Sequence, residues 1–239
     1  RDLRYSGGKR VDQILSGMIA QRFIKENLEK DLEIWERAYG KYQNYDGGIK
    51  LLPYSDSDVL MSARIALASR EFFNQANLQG YFYGVLYNAE SDQSSVISAL
   101  AGLATMDEPV LMEIRSMLES EELTSMDQIL LALGLEALGD TKGAFDVYQK
   151  LLDDEAEFEP DLAITLSDDD GINYLSKALL ATLAVKVGDK SIGDQLFDDI
   201  YLNPSKKELA SLEMMTYLEN RDIMKSSQIQ SLSGSVSVK

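Results

Sequence analysis

Apolar residues recur at three- and four-residue intervals along almost the whole chain, the period of a helix with one buried face. The first stripe, Val11, Ile14, Leu15, Met18, Ile19 and Phe23, predicts a helix over 10–26. A second amphipathic stretch covers 28–42 and holds the one tryptophan, Trp35. A third is predicted from Val59 to about Phe73, directly after Ser55-Asp56-Ser57-Asp58. That polar run favours a helix start, because short side-chain oxygens accept hydrogen bonds from first-turn amides. Further stripes predict helices near 79–88, 93–105, 109–119, 126–138, 142–153, 171–187, 190–201 and 206–221. Ser125…Gln128 and Ser205…Glu208 have capping-box spacing. Strand-like alternation is almost confined to Ser235-Val236-Ser237-Val238, after Gly234 in a Ser-rich tail.

The helices come in pairs, and the pairs repeat. Leu130-Leu131-Ala132…Leu138-Gly139-Asp140…Tyr148…Leu151 matches Leu179-Leu180-Ala181…Val187-Gly188-Asp189…Phe197…Ile200 at an offset of 49. A weaker match at an offset of 33 sets Ala99-Leu100…Asp107…Leu118 against Ala132-Leu133…Asp140…Leu151. Each unit reads as helix, Gly-Asp turn, helix, with Gly in the left-handed C′ position and Asp capping the next helix. Repeated hairpins bury their faces against their neighbours, as a solenoid or as a closed ring. The spacing drifts too far for a tetratricopeptide array, so an all-α, α/α toroid of about six hairpins is expected over 1–224. Residues 225–239 are then a linker and the possible first strand of a following β-domain. A tetratricopeptide-like scaffold is the rival architecture.

Composition narrows the chemistry. Lys plus Arg number 23 against 40 Asp plus Glu, a net charge of −17, which disfavours nucleic acid. Histidine and cysteine are both absent, which removes disulfides, thiolate and imidazole metal ligands, cysteine nucleophiles and the Ser-His-Asp arrangement. No apolar run reaches the roughly 20 residues of a membrane span, and the chain starts at Arg1 without a leader, as an excised fragment would. No cofactor and no metal are expected.

Asp168-Asp169-Asp170-Gly171 is the most conspicuous acidic cluster, in a stretch, 151–176, without Lys or Arg. As a calcium loop it fails, because Gly171 at the sixth position puts Leu166 first and Lys177 twelfth. It also lacks the first aspartate of the Asp-x-Asp-Asp motif of helical terpene cyclases, having Ser167 there. It is expected to cap the next helix, with Asp168, Asp169 and Asp170 the candidate contacts for a cation or a basic partner. Asp46-Gly47-Gly48 is expected to form a tight turn between helices, since no phosphate-loop Lys-Ser/Thr follows. The first thirty residues are locally basic.

Three segments together resemble one family: Tyr5-Ser6-Gly7-Gly8-Lys9-Arg10-Val11-Asp12-Gln13 before the first helix; Tyr42-Gln43-Asn44-Tyr45-Asp46-Gly47-Gly48-Ile49…Pro53…Ser57-Asp58-Val59; and helix 206–221 followed by the Ser-Val tail. They resemble the thioester domain of bacterial α2-macroglobulin-like proteins, an α/α toroid inserted into a CUB-type β-domain. In that family a Gly-Cys-x-Glu-Gln motif opens the first inner helix and forms an internal thioester. Here Gln13 matches the Gln, Asp12 replaces the Glu and Arg10 stands in place of the Cys, so the bond cannot form. The resemblance implies a non-catalytic module of a larger bacterial envelope protein, acting by non-covalent interaction or as a structural part of a protease trap. It implies neighbouring β-domains of the full-length chain as partners, proteases or host proteins as targets, an extracellular, surface or periplasmic site, and no membrane insertion. The alternative is a toroid enzyme using carboxylates alone on glycans or prenyl chains, which requires a central pocket where several Asp and Glu converge.

Overall fold

The computed structural model describes residues 10–24, 40–120, 122–157, 163–203 and 208–221. Ten α-helices lie among them: α1 (Val11–Ile24), α2 (Val59–Ser69), α3 (Gln75–Leu86), α4 (Gln93–Thr105), α5 (Leu111–Leu118), α6 (Ser125–Ala137), α7 (Thr141–Glu155), α8 (Asp170–Lys186), α9 (Lys190–Tyr201) and α10 (211–221). Between α7 and α8, Ala156–Glu157 and Ala163–Ile164 form an antiparallel pair of two-residue strands, with Ala156 opposite Ile164. The fold is all-α, as the helical period predicts.

The helices divide into two kinds by how much of their surface is apolar. From α2 onward, α2, α4, α6 and α8 pack each against the next. They are buried nearly all round: α4 has eight consecutive buried residues, Ile97–Ala104, and α8 buries Ala178–Val185. Helices α3, α5, α7 and α9 each bury one stripe, such as Ala144, Tyr148, Leu151 and Leu152 of α7. Small residues on the inner row make room for outer side chains. A Cβ on Gly102 of α4 would come within 2.4 Å of the Phe82 ring of α3, and one on Gly134 of α6 within 2.9 Å of Ile114 of α5. These glycines carry the close approach of the two layers.

The hairpin turns follow the repeat. Gly139 and Gly188 have φ of 84° and 98°. At the first, Gly139 N donates to Glu136 O and Asp140 N to Leu135 O, the two bonds of a Schellman turn; Gly188 and Asp189 do the same with Val185 and Ala184. The weaker repeat makes the same turn one residue away from the expected register: Asp107, matched to Asp140 at the offset of 33, stands in the place of Gly139, at φ 64°, and Glu108 in that of Asp140. Asp140 and Asp189 cap α7 and α9.

Some boundaries differ from the periodic reading. The capping box of α6 is Thr124 with Asp127, not Ser125 with Gln128, because the Asp127 carboxylate reaches back to Thr124 N. Helix α2 stops at Ser69 and continues as a 3₁₀ turn, Arg70–Phe72. Helix α3 begins four residues earlier than its apolar stripe, where Asn74 accepts from Asn77 N. Of the helix expected over 28–42, only a 3₁₀ turn at Gly40–Tyr42 is among the described residues. Ser205 of the Ser205…Glu208 box, the 225–239 tail and the boundary before it fall outside them, while Glu208 lies in a turn ahead of α10, which starts at 211 rather than 206.

Candidate functional site

Three sets of residues were singled out from the sequence, and the structure brings two of them into one neighbourhood. Arg10, Asp12 and Gln13 stand at the start of α1. Asp12 is fully buried and its carboxylate is crowded with donors: Arg10 Nε at 3.1 Å and Gln13 N at 2.9 Å on Oδ1, Arg10 Nη2 at 2.7 Å on Oδ2. Arg64 of α2 places Nη2 3.5 Å from the same Oδ2. Arg64 also grips Glu213 of α10 with two parallel bonds, Nε to Oε1 at 2.6 Å and Nη2 to Oε2 at 3.0 Å. Burial alone would pull the Arg64 guanidinium down. The charge of Glu213 and its hydrogen bond, with the charge of Asp12, instead hold it above its ordinary value. Two arginines and two carboxylates thus form a neutral, hydrogen-bonded cluster with no open nucleophile or base.

The Asp46-Gly47-Gly48 turn belongs to a loop that reaches the start of α1 through Leu51. Asp46 Oδ1 accepts from Gly48 N at 2.9 Å and from Ser57 Oγ at 2.7 Å, while Gly47 takes φ 93°. The loop then fixes three helix starts. Leu51 O accepts from Val11 N of α1, Ile49 N donates to Ser62 Oγ of α2, and Gln43 exchanges hydrogen bonds with Asn74, the cap of α3.

Asp168, Asp169 and Asp170 are exposed and stand elsewhere, at the start of α8. Asp169 is the N-cap, accepting from Ile172 N at 2.9 Å. No group of three or more carboxylates converges on a metal-sized space among the described residues. Of the surrounding acidic stretch, Asp153, Asp154 and Glu155 belong to α7, and Glu159 and Asp161 lie outside the described residues.

Sequence reasoning missed Arg64 and Glu213. Their signal was local: each is a charged residue inside an otherwise apolar stripe, Ala63-Arg64-Ile65 and Leu212-Glu213-Met214. Two cavities mark the ends of the inner row. One, of about 300 Å³, lies at the C-terminal ends, beside Ser69, Arg70 and Lys186. The other, of about 310 Å³, lies at the N-terminal ends, and the carboxylate lining it among the described residues is Asp127. No family model, curated protein or solved structure matches the chain.

Proposed function

We propose that this chain is an α/α toroid module of a larger α2-macroglobulin-like envelope protein, and that it works by non-covalent contact, as a structural or binding part of a protease-trapping assembly. The observation that carries the reading is the cluster around Arg64. One side chain on α2 holds α1 on one side and α10 on the other, so the first and last described helices are tied to a common point. That tie supports a closed ring over an open tetratricopeptide-like superhelix, whose two ends stand apart. It also supports loss of covalent capture. The positions that the thioester resemblance assigns to Cys and Glu are here an arginine and a carboxylate joined to each other and committed to structure.

The test has two arms. Methylamine, which opens a thioester and adds its mass, leaves the intact mass of this chain unchanged. The full-length gene product, mixed with an endoprotease, slows cleavage of a protein substrate while leaving a short peptide substrate untouched. A mass increase in the first arm overturns the loss of covalent capture, and equal cleavage of both substrates in the second overturns the trapping role.

A further inference from the structure

Among the described residues, buried carboxylates have cationic partners with one exception. Asp12 and Glu213 are held by arginines, whereas Asp127 of α6, 4% exposed, has no lysine or arginine at ion-pair distance among the described residues. Its Oδ2 accepts from Thr124 N, Thr124 Oγ1 and Ser94 Oγ, at 3.1, 2.7 and 3.4 Å. Its Oδ1 accepts from no described residue. Oδ1 is not among the fully enclosed side-chain atoms that lack a partner, so a donor arriving from outside can reach it.

The space beside it can admit one. Asp127 lines the N-terminal cavity, about 310 Å³, at the low end of ligand-sized pockets. Leu60, Met126, Leu130 and Ile172 give it apolar walls, and no lysine or arginine lines it among the described residues. Ser98 of α4, 3% exposed, lines it too, and its hydroxyl makes no hydrogen bond among the described residues. This end of the inner helices is acidic. Asp58, Asp92 and Asp169 cap α2, α4 and α8 at this end, and all three are exposed.

We infer that this cavity receives a lysine side chain from a partner protein. The aliphatic stem lies against the apolar walls, and the ammonium reaches Asp127 Oδ1 and Ser98 Oγ at the inner end. The exposed capping aspartates at this end of the inner helices raise the encounter rate. Lysine suits the site because it is a point charge on a narrow apolar stem, whereas a guanidinium needs a wider planar set of acceptors. The inference builds on the reading of this domain as a non-covalent binding module, and not on its family.

The experiment titrates the 239-residue chain with three acetylated, amidated tripeptides, Gly-Lys-Gly, Gly-norleucine-Gly and Gly-acetyllysine-Gly, and follows the methyl resonances of Met126, Leu130 and Ile172. The lysine peptide shifts these methyls, and the two uncharged peptides bind at least about tenfold more weakly. Asp127→Asn, which keeps the size and the capping geometry, lowers lysine-peptide affinity by about tenfold. Ser98→Val, which leaves the capping box alone, gives a smaller loss and serves if Asp127→Asn fails to fold. The triple change of Asp58, Asp92 and Asp169 to Asn keeps good caps, and it flattens the salt dependence of binding. Equal binding of lysine and norleucine peptides, unchanged affinity in both single variants, or no methyl shift at saturating peptide overturns the inference. Binding of free hexylammonium without binding of the lysine peptide also overturns it, in favour of a small amine. The methylamine and protease arms above read neither these methyls nor this pocket, so the two proposals fail separately.

Discussion

Two turn residues, one glycine and one aspartate, sit in left-handed backbone for opposite reasons. Gly47, at φ 93°, lies so close to α3 that an added Cβ would come within 2.0 Å of Asn77 O. Backbone cannot yield as a flexible side chain can, so Gly47→Ala is expected to cost about 3 kcal/mol or more in chemical denaturation. Asp107, at φ 64°, occupies the place that glycine holds in the two sister turns. Its carboxylate contacts Arg70 Nη2 at 3.3 Å, but it is 79% exposed, and such pairs contribute little. Asp107→Gly is therefore expected to raise stability by about 0.5 kcal/mol, the left-handed strain released minus the added freedom of the unfolded chain. A loss of more than about 1 kcal/mol would show that the Arg70 pair outweighs the strain. The tight turn at 46–48 was legible from Asp-Gly-Gly alone, since few other residues accept that backbone. What the turn holds was not, because Asn77 and Ser62 are distant in sequence.

At the scale of elements, the helices were legible because amphipathic periodicity is a local property. The ties between hairpins were not, because they join residues of consecutive hairpins. In each case a group on one outer helix reaches the start of the next. Tyr83 and Gln79 of α3 donate to Glu108, just before α5; Arg115 of α5 donates to Asp140, the cap of α7; Tyr148 of α7 donates to Asp189, the cap of α9. At the end of the series Tyr217 and Arg221 of α10 donate to Asp194 of α9. A capping aspartate here does two jobs, one for each oxygen. Asp189→Ala loses the cap and leaves a buried tyrosine hydroxyl without a partner, for an expected cost of about 2–4 kcal/mol. Asp189→Asn keeps the cap through its one amide oxygen and turns Nδ2, a donor, toward the Tyr148 hydroxyl oxygen, so it is expected to cost less, about 1–2 kcal/mol; a loss as large as that of Asp189→Ala would mean the cap contributes nothing. The same ties set the response to pH. The hydrogen bond to Glu108, with burial, pushes the Tyr83 phenol up to about 12, and burial with the bond to Asp189 pushes Tyr148 higher still. A group whose folded value is raised adds stability that is whole below its unfolded value, near 10, and is lost as pH climbs through the folded one. Tyrosinate absorbance should thus show Tyr83 ionising late, near pH 12, and Tyr148 silent until the chain unfolds in alkali. Asp140 moves the other way, lowered by the hydrogen bond from Arg115 and that from Gly143 N, so its contribution fades only as pH falls below about 4.

The whole molecule depends on a contact that no local pattern carries, Arg64 with Glu213 across 149 residues. A charge in an apolar stripe announces that a partner exists, but only the packing of α1, α2 and α10 names it. Both side chains are at most 6% exposed, so most of the Coulomb gain is spent on removing two charges from water. The pair's net contribution to stability is accordingly small, and its value lies in what happens when one member is missing. Arg64→Met strands Glu213 in the core and weakens the hold on Asp12, for an expected loss of about 3–5 kcal/mol. Adding Glu213→Leu removes the stranded charge, while Asp12 keeps its bonds from Arg10. The double variant should therefore recover to within about 1–2 kcal/mol of the parent, an interaction energy that a double-mutant cycle in urea measures directly. The first and last described helices would then lack their shared anchor on α2, and apolar packing accepts many registers where a bidentate arginine accepts one. Amide exchange in α1 and α10 separates the two effects: near-parental global stability with faster exchange in both helices marks the arginine as the device that sets how the ends meet. Parental exchange in the double variant would leave the cluster without that role, and a loss below about 1 kcal/mol in Arg64→Met would show that α1 and α10 are held independently of it.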